Sequence, residues 1–168
     1  MDHDAALPYG TAMFRLSILR HAKSSWATPG MADIDRPLNE RGRQQADALR
    51  DWLKTSAFEC DAVLCSQATR TRETLTRIEA SLPDAERSFP PRLYAGHGQD
   101  YLDALAGLSY RNVLIVGHNP TCDELVRALS SNGGPHAQRL SQRHYGTANF
   151  ATVAFEVAEW TDIREASG

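Results

Sequence analysis

Short β-prone runs that empty into polar clusters recur three times along the chain. Phe14 to Leu19 (FRLSIL) ends at Arg20-His21-Ala22-Lys23-Ser24-Ser25. Ala62 to Cys65 (AVLC) leads into Ser66-Gln67-Ala68-Thr69-Arg70-Thr71. Asn112 to Gly117 (NVLIVG) is the most apolar segment; it suits a central strand buried on both faces and feeds His118-Asn119-Pro120. Helical spacing fills the intervals. Ala46, Leu49 and Leu53 put an apolar stripe on a helix expected from an N-cap at Asn39 to about Ser56. Leu75, Ile78 and Leu82 mark a second helix, Tyr101, Leu102, Leu105 and Leu108 a third, and Leu125, Val126 and Leu129 a fourth.

Punctuation residues supply the rest. Residues 28–37 (TPGMADIDRP) read as a surface loop, and Pro83, Pro90 and Pro91 break the chain before a brief strand expected at Leu93-Tyr94. Residues 130–147 are polar and Gly-containing, so they read as a loop. Ala151, Val153, Phe155 and Val157 then alternate, as a late edge strand does. Residues 1–13 read as a flexible leader before a single domain over 14–168. Three strand–loop–helix units predict a three-layer α/β/α sandwich with a mostly parallel central sheet and the late strand at its edge. Ligands of such sheets bind beyond the carboxyl ends of the strands. Those ends carry Arg20-His21, Ser66 with Arg70, and His118.

Composition narrows the classes. The 168 residues fit one domain, and 42% hydrophobic with 23% charged residues is ordinary for a globular chain. A net charge of −3 gives no global case for nucleic acid, so an anion site must come from local Arg and His clustering. No apolar run approaches the roughly 20 residues of a membrane span. The first residues have neither the basic start nor the apolar stretch of a signal peptide. Cys60, Cys65 and Cys122 are odd in number and lack metal-like spacing, so free thiols, a reducing compartment and a cytoplasmic location are expected. No HxH, HExxH or CxxC spacing occurs, and neither a metal nor a cofactor is implied. A monomer is the default.

Phosphoryl transfer without a metal needs a nucleophile free of its proton and fixed donors around three phosphoryl oxygens. Imidazole, with an ordinary pKa near ~6.5, is partly neutral already, and an adjacent guanidinium disfavours its protonation further. Two unit charges ~4 Å apart interact by about 4 kcal/mol at an effective dielectric of about 20. Arg20 and Arg70 beside His21 would therefore lower its pKa and bind phosphate bidentately. His118, with Asn119 at a helix start, adds a donor. Other readings stay open. Arg70 could pair with Glu73, and Ser66 could cap its helix or touch phosphate. Lys23 and Ser24 could contact phosphate or be solvated, and Arg36 could reach substrate or anchor Asp35.

These residues resemble a known family. Leu19-Arg20-His21-Ala22 looks like the L-R-H-G/A signature of the histidine phosphatase superfamily. Ser66-x-x-x-Arg70-Thr71-x-x-Thr74 resembles its S-x-x-x-R-T/A-x-x-T segment, and Gly117-His118-Asn119-Pro120 its second-histidine motif. Order and spacing match over about residues 14–157. Arg-His-Ala-Lys-Ser, the run Asp35-Arg36-Pro37-Leu38, Gly42 and the short length are most similar to SixA-type phosphohistidine phosphatases. The resemblance implies a phosphoglycerate mutase-like fold and a phosphatase without metal or cofactor. It makes His21 the phospho-acceptor, Arg20, Arg70 and His118 the rest of the phosphate pocket, and inorganic phosphate the product. The substrate would be a phosphorylated protein or a small phosphate-containing molecule. One departure matters: where mutase-like members carry a Glu as general acid, Leu93-Tyr94-Ala95 offers Ala95, with only His97 and Asp100 nearby. A poor alkoxide leaving group needs that proton, whereas a phosphoramidate nitrogen can be protonated beforehand. The missing acid therefore favours phosphohistidine, or another activated phosphodonor, as the substrate, with a small-molecule phosphoester as the alternative.

Four rivals are weighed. A cysteine phosphatase wants five residues between Cys and Arg, and Cys65 and Arg70 have four. A zinc hydrolase lacks its ligand spacing. A mutase needs a lid that the short stretch from Leu82 to Arg111 has little room for. A binding module with negligible turnover would use the same pocket.

Overall fold

The computed structural model describes residues 12–130, 139–140 and 142–163. Its five strands are β1 (Ala12–Arg20), β2 (Ala62–Cys65), β3 (Glu86–Ser88), β4 (Asn112–Gly117) and β5 (Phe150–Val157), in the order β3-β2-β4-β1-β5. All neighbouring pairs are parallel except β1 with β5. The helices are α1 (Glu40–Leu53), α2 (Thr69–Ile78), α3 (Arg92–Ala95), α4 (Gly98–Leu105) and α5 (Thr121–Leu129). Alternation along the strands splits the apolar residues between two cores. Leu16, Ile18, Leu64, Val113 and Ile115 face α4 and α5, whereas Leu19, Val63, Cys65, Leu114 and Val116 pack with Leu53, Leu75 and Ile78 of α1 and α2. This is the expected three-layer sandwich, with β5 at one edge.

Several local expectations change. β1 begins at Ala12, so two residues assigned to the leader belong to the sheet; residues 1–11 lie outside the described ones. α1 stops at Leu53 rather than Ser56, because the Thr55 and Ser56 hydroxyls bond the last-turn carbonyls of Trp52 and Leu53. Leu93-Tyr94 is a helical turn, not a strand: Pro91 starts it, and Leu93 N–H donates to the Pro90 carbonyl. The polar β3 was not expected; it pairs parallel to β2 along the backbone. Of the polar loop at 130–147, residues 131–138 and 141 lie outside the described ones. Cys60, Cys65 and Cys122 are buried and unpaired. No helix among the described residues is long and apolar enough to cross a membrane.

Two glycines allow close approach where the fold meets the site. A Cβ on Gly42, in the first turn of α1, would run into the carbonyl of Lys23. On Gly117, at the end of β4, it would strike the Tyr101 hydroxyl, which accepts from His118 N–H and donates to the Leu93 carbonyl.

Candidate active site

The carboxyl ends of β1, β2 and β4 lie side by side, and hydrogen bonds stitch the segments leaving them. His21 N–H donates to the Gly117 carbonyl, Ser66 N–H to the Val116 carbonyl, and Ala22 N–H to Thr74 Oγ1. Ala148 adds a tie: its N–H lies 3.1 Å from the Arg20 carbonyl and 3.2 Å from that of His21. Ala148 does so at φ 58°, a left-handed conformation that costs a non-glycine residue about 1 kcal/mol or more.

A cleft of about 270 Å³ opens over these ends, lined by Arg20, His21, Lys23, Ser24, Trp26, Arg36, Arg70, His118, Asn119 and Thr147. Every site residue expected from the sequence is in it except Ser66. That side chain lies beneath, its Oγ 2.7 Å from His118 Nε2. A larger groove, about 560 Å³, runs along α1 and α2, but its Arg43, Glu73 and Arg77 are already engaged with Glu40, Leu38 N–H and Asp47.

His21 and His118 face each other across the cleft floor, ring centroids 5.2 Å apart. His21 Nδ1 is 2.7 Å from the Ala22 carbonyl. A carbonyl only accepts, so Nδ1 carries the proton and Nε2 keeps a free lone pair. Burial lowers the His21 pKa to about 4; the Ala22 hydrogen bond opposes the shift, while Arg70, Arg20 and Arg36 reinforce it. Burial likewise lowers His118 to about 3, with His21 and Arg70 adding to it. Ser66 Oγ also accepts weakly from Ala68 N–H at 3.4 Å. His118 Nδ1 is buried without a partner, as is Arg20 Nε. Two unpartnered polar nitrogens beside a lone-pair nitrogen suit a tetrahedral oxyanion.

The arginines are held from unexpected places. Arg20 Nη1 donates to the Tyr145 carbonyl at 2.9 Å, and Asn119 Nδ2 donates to the same oxygen. Tyr145 is buried, and its own hydroxyl donates to the Ile18 carbonyl. Arg70 does not pair with Glu73. Its Nη1 and Nη2 donate to the carbonyl and to Oδ2 of Asp33, at 2.6 and 2.9 Å. Nor does Arg36 anchor Asp35: it donates to Asp33 Oδ1, Ser24 Oγ and the Ser25 carbonyl. The 3-10 turn Asp33–Asp35 places Asp33 and Arg36 on one side, three residues apart. Tyr94 also donates to Asp33 Oδ2. Partial burial resists the charge on Asp33, but hydrogen bonds from Arg36, Tyr94 and Arg70 outweigh it and hold its pKa at about 2. Asp33, Tyr145, Trp26 and Thr147 are the site residues that sequence reasoning missed.

The residues considered beside the main site lie elsewhere. His97 and Asp100 form the capping box of α4, and neither lines the cleft. Cys65 is buried with its thiol pushed up to about 12, so it offers no thiolate near neutrality. Among the described residues no group of three His, Cys, Asp or Glu side chains could hold a metal ion.

Comparison with known proteins places this geometry. The model of the histidine phosphatase superfamily (branch 1) matches residues 16–93. An uncharacterized protein of Mycobacterium tuberculosis is 35% identical over 150 residues, covering 86% of this chain and 91% of its own. The structure of a candidate phosphohistidine phosphatase SixA from Nakamurella multipartitia superposes with TM-score 0.77 at 28% identity, covering 92% of this chain and 91% of that one. The protein histidine phosphatase SixA complexed with tungstate gives TM-score 0.66 at 26% identity, over 83% and 86% of the two chains. Sequence and fold lead to one assignment: the chain belongs to the histidine phosphatase superfamily, with SixA phosphohistidine phosphatases among its structural neighbours.

Proposed function

We propose that the chain hydrolyses phosphohistidine carried on a protein, through a phosphoryl group held transiently on His21. Neutral His21 attacks phosphorus with the Nε2 lone pair that its Ala22 hydrogen bond leaves free. The P–N bond to the leaving imidazole breaks as the Nε2–P bond forms. Arg20, Arg70 and His118 hold the phosphoryl oxygens and meet the charge that develops on them. A water oxygen then bonds to phosphorus, the Nε2–P bond breaks, and inorganic phosphate leaves, the water's protons passing to phosphate oxygen or solvent. Lys23, Ser24, Arg36 and Asn119 rim the pocket. No step is assigned to a metal.

The observation that carries the substrate class is that, among the described residues, the cleft is lined by arginine, lysine, histidine and neutral side chains and by no carboxyl group. Asp33, just behind it, has a pKa of about 2 and holds no proton to give near neutrality. A leaving group must therefore arrive already protonated, which an imidazole nitrogen can do and an alkoxide cannot. The likeness to SixA phosphohistidine phosphatases supports the same class.

A competition assay tests this. With a phosphohistidine protein and a simple alkyl phosphate in one reaction, kcat/KM for the P–N substrate should exceed that for the ester by about 10²-fold or more, the usual worth of a general acid. Chelator should leave the rate unchanged. Equal turnover of the two donors would contradict the reading. Capture of phosphohistidine without phosphate release would make the chain a binding module instead.

A further inference from the structure

Trp26 is 76% exposed, more than any other large apolar side chain among the described residues, and it borders the same cleft as His21, Arg70 and His118. It is nevertheless braced. The guanidinium carbon of Arg36 lies 3.2 Å from the ring centroid. Arg36 is itself buried and fixed by Ser24, Ser25 and Asp33. One face of the indole is thus taken, and the exposure of the residue leaves the other open. A rigid aromatic ring presented at the mouth of an anion pocket is a binding element rather than a packing one.

We propose that Trp26 determines specificity by stacking on the imidazole of the leaving group while the phosphoryl group sits among Arg20, His21, Arg70 and His118. The inference rests on the phosphohistidine reading and gives it a contact. With no carboxyl group among the described residues of the cleft lining, the leaving ring is protonated beforehand on the nitrogen not bonded to phosphorus. When the P–N bond breaks, its electron pair returns to the other nitrogen and the ring departs neutral. Until then the ring is planar and cationic, surrounded by guanidinium groups that repel it. The π-face of an indole attracts such a cation, and Trp26 provides that face. An alkyl leaving group is neither planar nor cationic and gains less.

Phosphoimidazole and phosphoramidate share the P–N bond, and only the first has a ring. Trp26→Ala should lower kcat/KM for phosphoimidazole about five- to tenfold, mostly through KM, and change that for phosphoramidate by less than about twofold. Trp26→Phe should restore most of the loss. Equal losses on both donors would overturn the proposal and reduce Trp26 to a brace for Arg36; so would an unchanged rate on phosphoimidazole. If the wild type prefers an alkyl phosphate to both P–N donors, the substrate reading itself fails and takes the stacking contact with it.

Discussion

Two walls of the cleft are built differently. Arg20, His21 and His118 stand on or directly after β1 and β4, where backbone pairing of Leu19 with Val116 and Arg20 with Gly117 fixes them to the middle of the sheet. Trp26, Asp33 and Arg36 ride on the connection from β1 to α1, which lies outside the sheet and is held by a bridge between Ser24 and Leu38 and by side-chain contacts of Arg36, Glu73 and Tyr94. Arg70 joins the two walls, rising from α2 and gripped by Asp33. The division has a physical sense. Phosphoryl transfer tolerates little misplacement of the nucleophile and its charge partners, so those sit on the stiffest part of the molecule. The loop wall orients guanidiniums and presents the exposed ring of Trp26.

Mutations on the two walls should therefore fail differently. The largest effect belongs to the strand wall: His21→Ala should lower kcat by about 10⁴-fold or more with the fold intact, since it removes the attacking Nε2 lone pair. Arg70→Ala, at the junction, should lower kcat by roughly 10²–10³-fold, as loss of a transition-state charge partner does. Asp33→Ala belongs to the loop wall; it frees Arg70 and Arg36 together, and we expect a rise in KM of about tenfold exceeding the fall in kcat. A kcat loss as large as that of Arg70→Ala, with KM unchanged, would erase the distinction between the walls.

The smallest effect is on stability. The folded pKa values of His21 (about 4) and His118 (about 3) lie below the ordinary 6.5. Below pH 6.5 the unfolded chain takes up protons that the folded one refuses. Stability is thus full above about pH 6.5 and falls as pH drops toward 4, by on the order of 2 kcal/mol for His21 between pH 6.5 and 5. Urea unfolding at several pH values should show this slope, and His118→Ala should flatten it. A slope indifferent to both histidines would sink the assignment of neutral, desolvated imidazoles.

Legibility followed the same division. Each strand-wall residue is announced locally, by an apolar run ending at an Arg-His, a Ser-x-x-x-Arg or a Gly-His-Asn. Asp33 is not, because its partners Arg70 and Tyr94 are 37 and 61 residues away, and no periodicity marks a loop aspartate. Tyr145 acts through its carbonyl on Arg20 and Asn119, a group that every residue has. The layers and the late edge strand were readable from alternation, whereas the antiparallel pairing of β5 with β1 was not. The short polar β3 was not, since backbone pairing rather than burial holds it.

The central claim is covalent, and it is tested by trapping the intermediate. Brief mixing with a labelled P–N phosphodonor, followed by a base quench and peptide mapping, should place an acid-labile, base-stable phosphoryl group on the peptide containing His21 and on nothing in His21→Ala. Steady turnover with no trapped label, or a label on another side chain, would contradict the account.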